Sequence, residues 1–272
     1  MPNSRAAAEI PVAMTIAGAD SSGGAGIAAD LKTFAALGVH GTCAITAITA
    51  QNTRGVQQAY PLPPALVAAQ IDSIIADLPC HAAKTGMLAT AEIIRAVAER
   101  VRIHNIHPLV VDPVMVAASG SRLLAEGAVT VLVAELFPLA EVITPNIQEA
   151  SALLDRPVDN LDEMRSAAEE LCDLGPRVAI ITGGHLPGEA IDVLMDSRAG
   201  QLHELKGPRV ATAGTHGSGC TFAAALAAGL ARGADLLEAV RQAKEFTTQA
   251  IAAALPLGEG PGPVNPGRMV ST

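Results

Sequence analysis

The segment Gly214-Thr215-His216-Gly217-Ser218-Gly219-Cys220-Thr221 carries the most chemically suggestive spacing in the chain. Its three glycines, Gly214, Gly217 and Gly219, lead into an Ala-rich stretch that reads as a helix from near Ser218. Closely spaced glycines let successive backbone N–H groups face one concavity, and a helix N-terminus adds partial positive charge. Such a loop suits a developing phosphoryl charge. The spacing Gly214-x-x-x-x-Gly219-Cys220-Thr221 matches a P-loop except at one place, where Cys220 stands instead of the required Lys. A tight turn before a helix would use the same glycines. A thiol at a helix N-terminus has a lowered pKa, so Cys220 can be a thiolate at neutral pH, although a weak base for an alcohol. The plainer alternative for Cys220 is a small buried apolar residue.

Two further clusters carry polar chemistry. Gly24-Ala25-Gly26-Ile27-Ala28-Ala29 fits G-x-G-x-x-A, a dinucleotide-binding pattern. That pattern needs an acidic residue at the end of the second strand to hold a ribose. The second strand here ends in Gln51-Asn52, so dinucleotide binding is a weak reading. Asp30 follows on the helix after this loop, where a solvated carboxylate is the plain expectation. Asn146 and Glu149, in Thr144-Pro145-Asn146-Ile147-Gln148-Glu149, are one helical turn apart on one face. They fit a helix cap with Glu at its third position, and that role is compatible with a functional one.

The elements that must position these residues can be read from patterning. Short apolar strands are expected at 12–17, 42–49, 82–86, 109–112, 141–144 and 178–182. A hairpin is expected over 191–196 and 202–206, turning at Arg198-Ala199-Gly200. Helices are expected at 27–37, 63–77, 90–104, 125–136, 147–154, 160–174, 218–231 and 235–254. Alternating strands and helices indicate an α/β fold: a mostly parallel central sheet covered by helices on both faces. Residues 1–10 read as a flexible tail and 11–272 as a single domain, with neither an internal repeat nor a dividing linker. In such sheets ligands bind beyond the carboxyl ends of the strands. Gly18, Gln51, Gly86, Asp112, Asn146 and Gly183 all fall at or just past expected strand ends, so one rim should gather them.

Composition narrows the function classes. The 272 residues are 50% hydrophobic but only 2% aromatic, so the core must be Ala, Val, Leu and Ile. A net charge of −9 without a basic tract speaks against nucleic acid as a partner. None of the four cysteines, Cys43, Cys80, Cys172 and Cys220, lies in a C-x-x-C pair or at zinc spacing. The chain shows neither a secretory-type apolar leader nor an uninterrupted membrane-length apolar run, so a cytoplasmic, reduced protein is expected.

The combination of motifs resembles the hydroxymethylpyrimidine/phosphomethylpyrimidine kinases of the ribokinase-like superfamily. Thr215-His216-Gly217-Ser218-Gly219-Cys220 looks like that family's phosphoryl-transfer loop. The run from Ala17 to Thr33 looks like its substrate loop. Thr49-Ala50-Gln51-Asn52-Thr53-Arg54-Gly55-Val56, Lys84-Thr85-Gly86-Met87-Leu88, Val111-Asp112-Pro113-Val114-Met115 and the Asn146-x-x-Glu149 segment extend the match over roughly residues 12–265. The resemblance implies a ribokinase-like three-layer sandwich and transfer of the ATP γ-phosphate to 4-amino-5-hydroxymethyl-2-methylpyrimidine, then to its monophosphate, in thiamine biosynthesis. It implies Cys220, Gly217 and Gly219 as catalytic, and Gly18, Ala25, Asp30, Gln51, Met87 and Val114 as substrate-binding. It also implies Asn146, Thr182, Thr215 and Gly217 at the ATP, and Glu149, Asn146 and Asp112 at Mg²⁺. A Gln amide offers the donor and acceptor that an aminopyrimidine can match. The chain departs from the family at Ala118 and Thr182, where relatives often carry Lys, and each change removes a phosphate contact, bearing mainly on the second phosphorylation. A pyridoxal or pyridoxine kinase of the same fold is the near alternative, and a non-catalytic pyrimidine-binding regulator a further one. A homodimer is expected, because dimers are the commonest oligomer and the 191–206 hairpin and Ala-rich faces offer surfaces.

Overall fold

The computed structural model describes residues 10–117, 120–184, 186 and 188–270. Nearly all of the expected tail at 1–10, together with Ala118, lies outside the described residues. Nine strands form one sheet: β1 Val12–Asp20, β2 His40–Asn52, β3 Gly55–Pro61, β4 Ala82–Thr85, β5 Leu109–Val111, β6 Val142–Ile143, β7 Val178–Ile181, β8 Ala190–Asp196 and β9 Gln201–Gly207. The helices are α1 Gly26–Ala36, α2 Pro64–Ile75, α3 Ala91–His104, α4 Ala128–Val131, α5 Ile147–Leu154, α6 Leu161–Asp173, α7 Ser218–Ala231 and α8 Leu236–Ala252. The strand order is β3-β2-β1-β4-β5-β6-β7-β8-β9. The six strands from β2 to β7 pair in parallel, while β3, β8 and β9 are antiparallel.

The period-2 alternation of strand side chains divides the core into two layers. Met14, Ile16, Ala83, Leu109, Val111, Ile143 and Ile181 face the layer built by α2 to α6. Ala13, Ala82, Val110, Val142, Val178 and Ile180 face α1, α7 and α8. The second layer is packed with small residues. Ala223 to Ala228 of α7 are all buried, and a Cβ at Gly229 would stand 3.0 Å from Ala239 Cβ on α8. A chain with so few aromatics fills its interior by bringing backbones close.

Three expectations change. Residues 125–136 do not form one α-helix. A left-handed Gly127 (φ 75°) precedes the four-residue α4, which widens to a π-turn over Leu132–Leu136 and tightens to a 3₁₀ turn at Phe137–Leu139. The β-branched run Val129-Thr130-Val131 with Val133 crowds a regular helix, and Pro138 removes a donor. β3 was not expected. It is an exposed edge strand with no buried face, so its sequence carries no alternation. β1 and β2 also run further than expected, which puts Gly18 and Gln51 inside the last turns of strand rather than past them.

Candidate active site

The carboxyl ends of the parallel strands converge as expected, and each strand end brings a loop with it. After β1, Asp20 closes the turn: its Oδ1 accepts from the Ser22 amide at 2.8 Å and the Ser22 hydroxyl at 2.8 Å. Its Oδ2 accepts from the amides of Gly24 at 3.2 Å and Ala25 at 2.9 Å. Ala25 is the N-cap of α1. The same Oδ2 lies 2.8 Å from His216 Nε2, and both side chains are buried. Because a carboxylate can only accept, His216 Nε2 carries the hydrogen. Burial opposes the Asp20 charge, but the hydrogen bonds from His216 and Ser22 outweigh it and hold the carboxyl below its usual range.

This pair ties the loop after β1 to the Gly-rich loop before α7. Gly217, at φ 82°, is the N-cap of α7, and a Cβ there would fall 1.9 Å from the Gly24 carbonyl oxygen. Only glycine permits both the left-handed backbone and that contact. The C-terminal segment completes the joint, with the His216 amide donating to the Gly262 carbonyl at 3.2 Å and the Val264 amide to the His216 carbonyl at 3.1 Å.

Gln51, half-buried near the end of β2, lines the same space. Its Oε1 accepts from Thr49 Oγ1 at 3.2 Å and its Nε2 lies 3.4 Å from His216 Nε2. With the His216 hydrogen directed at Asp20, the Gln51 amide nitrogen keeps its own hydrogens for another acceptor. Gly18 and Met87 meet directly: a Cβ on Gly18 would stand 3.0 Å from Met87 Sδ. Thr46 Oγ1 fixes the backbone there by donating to the Met87 carbonyl at 2.6 Å. Val114 is half-buried against the α2-to-α6 layer.

Asp30 changes its reading. Rather than a solvated helix carboxylate, it is fully buried on α1, accepting from Thr15 Oγ1 at 2.6 Å. Lys84 Nζ lies 3.2 and 3.1 Å from its two oxygens and 3.8 Å from Asp112 Oδ2. Both Asp30 oxygens are thereby engaged behind the pocket. Lys84 is fully buried too. Burial works against its ammonium, but Asp30 and Asp112 hold it charged.

The thiolate expectation for Cys220 is overturned. Cys220 occupies the third position of α7, yet burial pushes its thiol up to about 12, with Asp30 and Asp112 adding to the effect against Lys84. Lowering by the helix N-terminus is too small to offset this, so the ligand-free group is a thiol. Gly219 and Thr215 beside it are exposed.

Asp112 follows β5, and Asn146 caps α5 after β6. Asn146 Oδ1 accepts from the Glu149 amide at 2.9 Å, and Glu149 Oε2 accepts from the Asn146 amide at 3.0 Å, a complete capping box. Burial, then the Asp112 charge, pushes Glu149 up to about 8. Burial pushes Asp112 up to about 6, with Lys84 opposing. Both carboxyls are buried, and they stand near enough for the Asp112 charge to act on Glu149. Thr144 Oγ1, two residues before Asn146, is also buried without a hydrogen-bond partner. This donor set fits a hard cation that keeps waters and phosphate oxygens as its other ligands, the habit of Mg²⁺. Among the described residues no three acidic, His or Cys groups form an all-protein metal cage.

Thr182, where a lysine was expected from the resemblance, bridges to Asn146 and donates its amide to the Pro145 carbonyl at 3.0 Å. The residue after it, Gly183, is linked through Asp192 to a lysine of another element. Lys244 of α8 lies 2.8 Å from Asp192 Oδ2, and Asp192 Oδ1 accepts the Gly183 amide at 3.0 Å. A cavity of about 620 Å³ opens beside Lys244, between β9 and α8, lined among others by Lys206, Pro208, Arg241 and Thr248.

Sequence reasoning missed Asp20, His216 and Lys84 as site residues. Lys84 did leave a signal: it is the sole charge in a four-residue strand that is otherwise Ala-Ala and Thr.

A mostly parallel sheet between helix layers, with a Gly-rich helix N-terminus and a buried carboxylate pair on one rim, defines a phosphotransferase of ribokinase-like fold. The family model described as phosphomethylpyrimidine kinase matches residues 20–265, and the chain belongs to that family. It is 49% identical over 257 residues to the hydroxymethylpyrimidine/phosphomethylpyrimidine kinase of Streptomyces coelicolor, covering 94% of each chain. It is also 49% identical over 253 residues to the thiamine biosynthesis bifunctional protein ThiED of Geobacter sulfurreducens, where the match takes in 93% of this chain but only 51% of that longer one. Its structure is similar to an ADP complex of Bacillus subtilis pyridoxal kinase, with TM-score 0.87, 40% identity, and coverage of 94% of this chain and 97% of that one.

Proposed function

We propose that the chain transfers the γ-phosphate of ATP to the hydroxymethyl group of 4-amino-5-hydroxymethyl-2-methylpyrimidine, and then phosphorylates the monophosphate, in thiamine biosynthesis. The observation that carries this reading is the docking of the Gly-rich loop on the acceptor loop through Gly217 against Gly24 and His216 against Asp20. In this reading that contact brings the phosphoryl site and the residues that bind the pyrimidine together. In this reading Gln51 donates to a ring nitrogen, while Gly18, Ala25, Met87 and Val114 bound the flat ring. Asp30 supports the pocket from behind through Lys84.

Phosphoryl transfer depends mainly on positioning and charge stabilisation. The α7 amides around Gly217 and Gly219 face the transferred group, and Cys220 lies beside the acceptor hydroxyl and orients it. The hydroxymethyl oxygen forms a bond to the γ-phosphorus as the bond from that phosphorus to the bridging oxygen breaks. The electron pair leaves with ADP. The hydroxyl proton moves late, to an oxygen of the transferred group, because the Cys220 thiol is already protonated. Asp112, Glu149 and Asn146 would hold Mg²⁺, which when bound neutralises phosphate charge. Thr182, Thr215 and Lys244 flank the polyphosphate, and the cavity between β9 and α8 takes the nucleotide base. We place this single unit, residues 11–272, in the cytoplasm; its four cysteines are free thiols, which suits a reducing compartment.

An ADP-release assay with Mg²⁺ tests the reading. The pyrimidine alcohol should be turned over with a kcat/KM at least tenfold above that for pyridoxal. The opposite ranking would move the chain to the pyridoxal kinases. Binding of the pyrimidine without ADP release would make it a regulator.

A further inference from the structure

Thr15, Lys84 and Asp112 share one face of the sheet. Along β1 and β4, Ala13 and Ala82 point to the α1/α7/α8 layer. Thr15 and Lys84, two residues further on, therefore point the same way. So does Asp112, two residues beyond Val110 of β5. Over this row lie the first turns of α1, which brings Asp30, and of α7, which brings Cys220. Lys84 is thus a buried cation at the point where the acceptor loop, the carboxylate pair and the Gly-rich loop meet. Gly86 leaves room for it, since a Cβ there would stand 2.9 Å from Lys84 Nζ.

Stability does not explain such a residue. Taking an ammonium and a carboxylate out of water is costly for each ion, and a well-packed apolar pair in their place is often as stable or more so. The electrostatics do explain it. Asp30, Asp112 and Glu149 put three carboxyl groups around a site meant for a polyanion. A cation fixed in place, with no reorganisation needed when charge develops, is worth most in such a water-poor setting.

Building on the proposed reaction, we propose that Lys84 is a positioning residue for phosphoryl transfer. Pinned by Asp30, its ammonium holds Asp112 and the start of α7 in register and supplies the fixed positive charge that offsets the surrounding carboxylates. It has no exposed surface, so it acts through these neighbours and not by touching the substrate.

The test removes the charge while keeping the pair neutral. In the full chain, Lys84→Met combined with Asp30→Asn, and Lys84→Gln combined with Asp30→Asn, leave no unpaired buried ion. Each is expected to melt within about 4 °C of the parent. Each should lose at least 100-fold in kcat for the pyrimidine alcohol, with its KM within threefold. A folded neutral pair with kcat within threefold of the parent would overturn the proposal. Unfolding of both pairs would overturn it too, because the role would then be structural. Failure of the underlying reading shows separately, as absence of turnover by the parent chain.

Discussion

Cys220 is the residue on which the chemistry turns. A thiol pushed up to about 12 by burial is almost wholly protonated at neutral pH, whereas an unperturbed cysteine near 8.5 is a few per cent thiolate. Iodoacetamide should therefore alkylate Cys220 in the ligand-free protein at least tenfold more slowly than free cysteine at pH 7.5. The rate should still be rising above pH 9, where free cysteine levels off. Fast labelling at pH 7.5, mapped to Cys220 by peptide mass, would restore the thiolate. Cys220→Ala should lower kcat at least tenfold while moving the pyrimidine KM less than threefold; unchanged turnover would remove Cys220 from the site. The position of Cys220 was legible from the glycines around it, but its ionisation was not. Spacing reveals a helix N-terminus, while the charge state depends first on burial, and then on Lys84, Asp30 and Asp112, which come from β4, α1 and the residue after β5. Lys84 shows the same limit. Its sequence neighbours do not reveal that Asp30, fifty-four positions away, completes an ion pair with it.

At the scale of elements, two loops far apart in sequence form one device. The turn after β1 is organised by Asp20, and the turn before α7 by Gly217 and His216. A Cβ at Gly217 would need the Gly24 carbonyl to move and would adopt a left-handed backbone that Ala disfavours. Gly217→Ala should accordingly cost on the order of 1–3 kcal/mol in stability. It should also depress kcat at least tenfold, read by thermal melting and by turnover; a variant with parental kcat would show that the two loops work independently. Helices with clear caps were legible from sequence, α5 and α7 to the residue. The failures have local causes. Around α4, β-branched residues and Pro138 break the pattern that the apolar spacing suggests, and β3 buries too little to leave any pattern.

Across the whole molecule, the parallel strands place every carboxyl end on one rim, and the antiparallel β3 and β8–β9 close its two edges. The rim could be anticipated because short apolar runs alternating with helices permit few other architectures. The strand order and the pairing of Lys244 on α8 with Asp192 could not, since both are set by long-range contacts. The account as a whole claims that this rim moves a phosphoryl group onto a pyrimidine alcohol. ³¹P NMR of the purified chain with ATP, Mg²⁺ and 4-amino-5-hydroxymethyl-2-methylpyrimidine tests that claim most directly. A phosphate monoester signal should grow in step with ADP and then give way to a diphosphate; ADP accompanied only by inorganic phosphate, or no change in ATP, would contradict it.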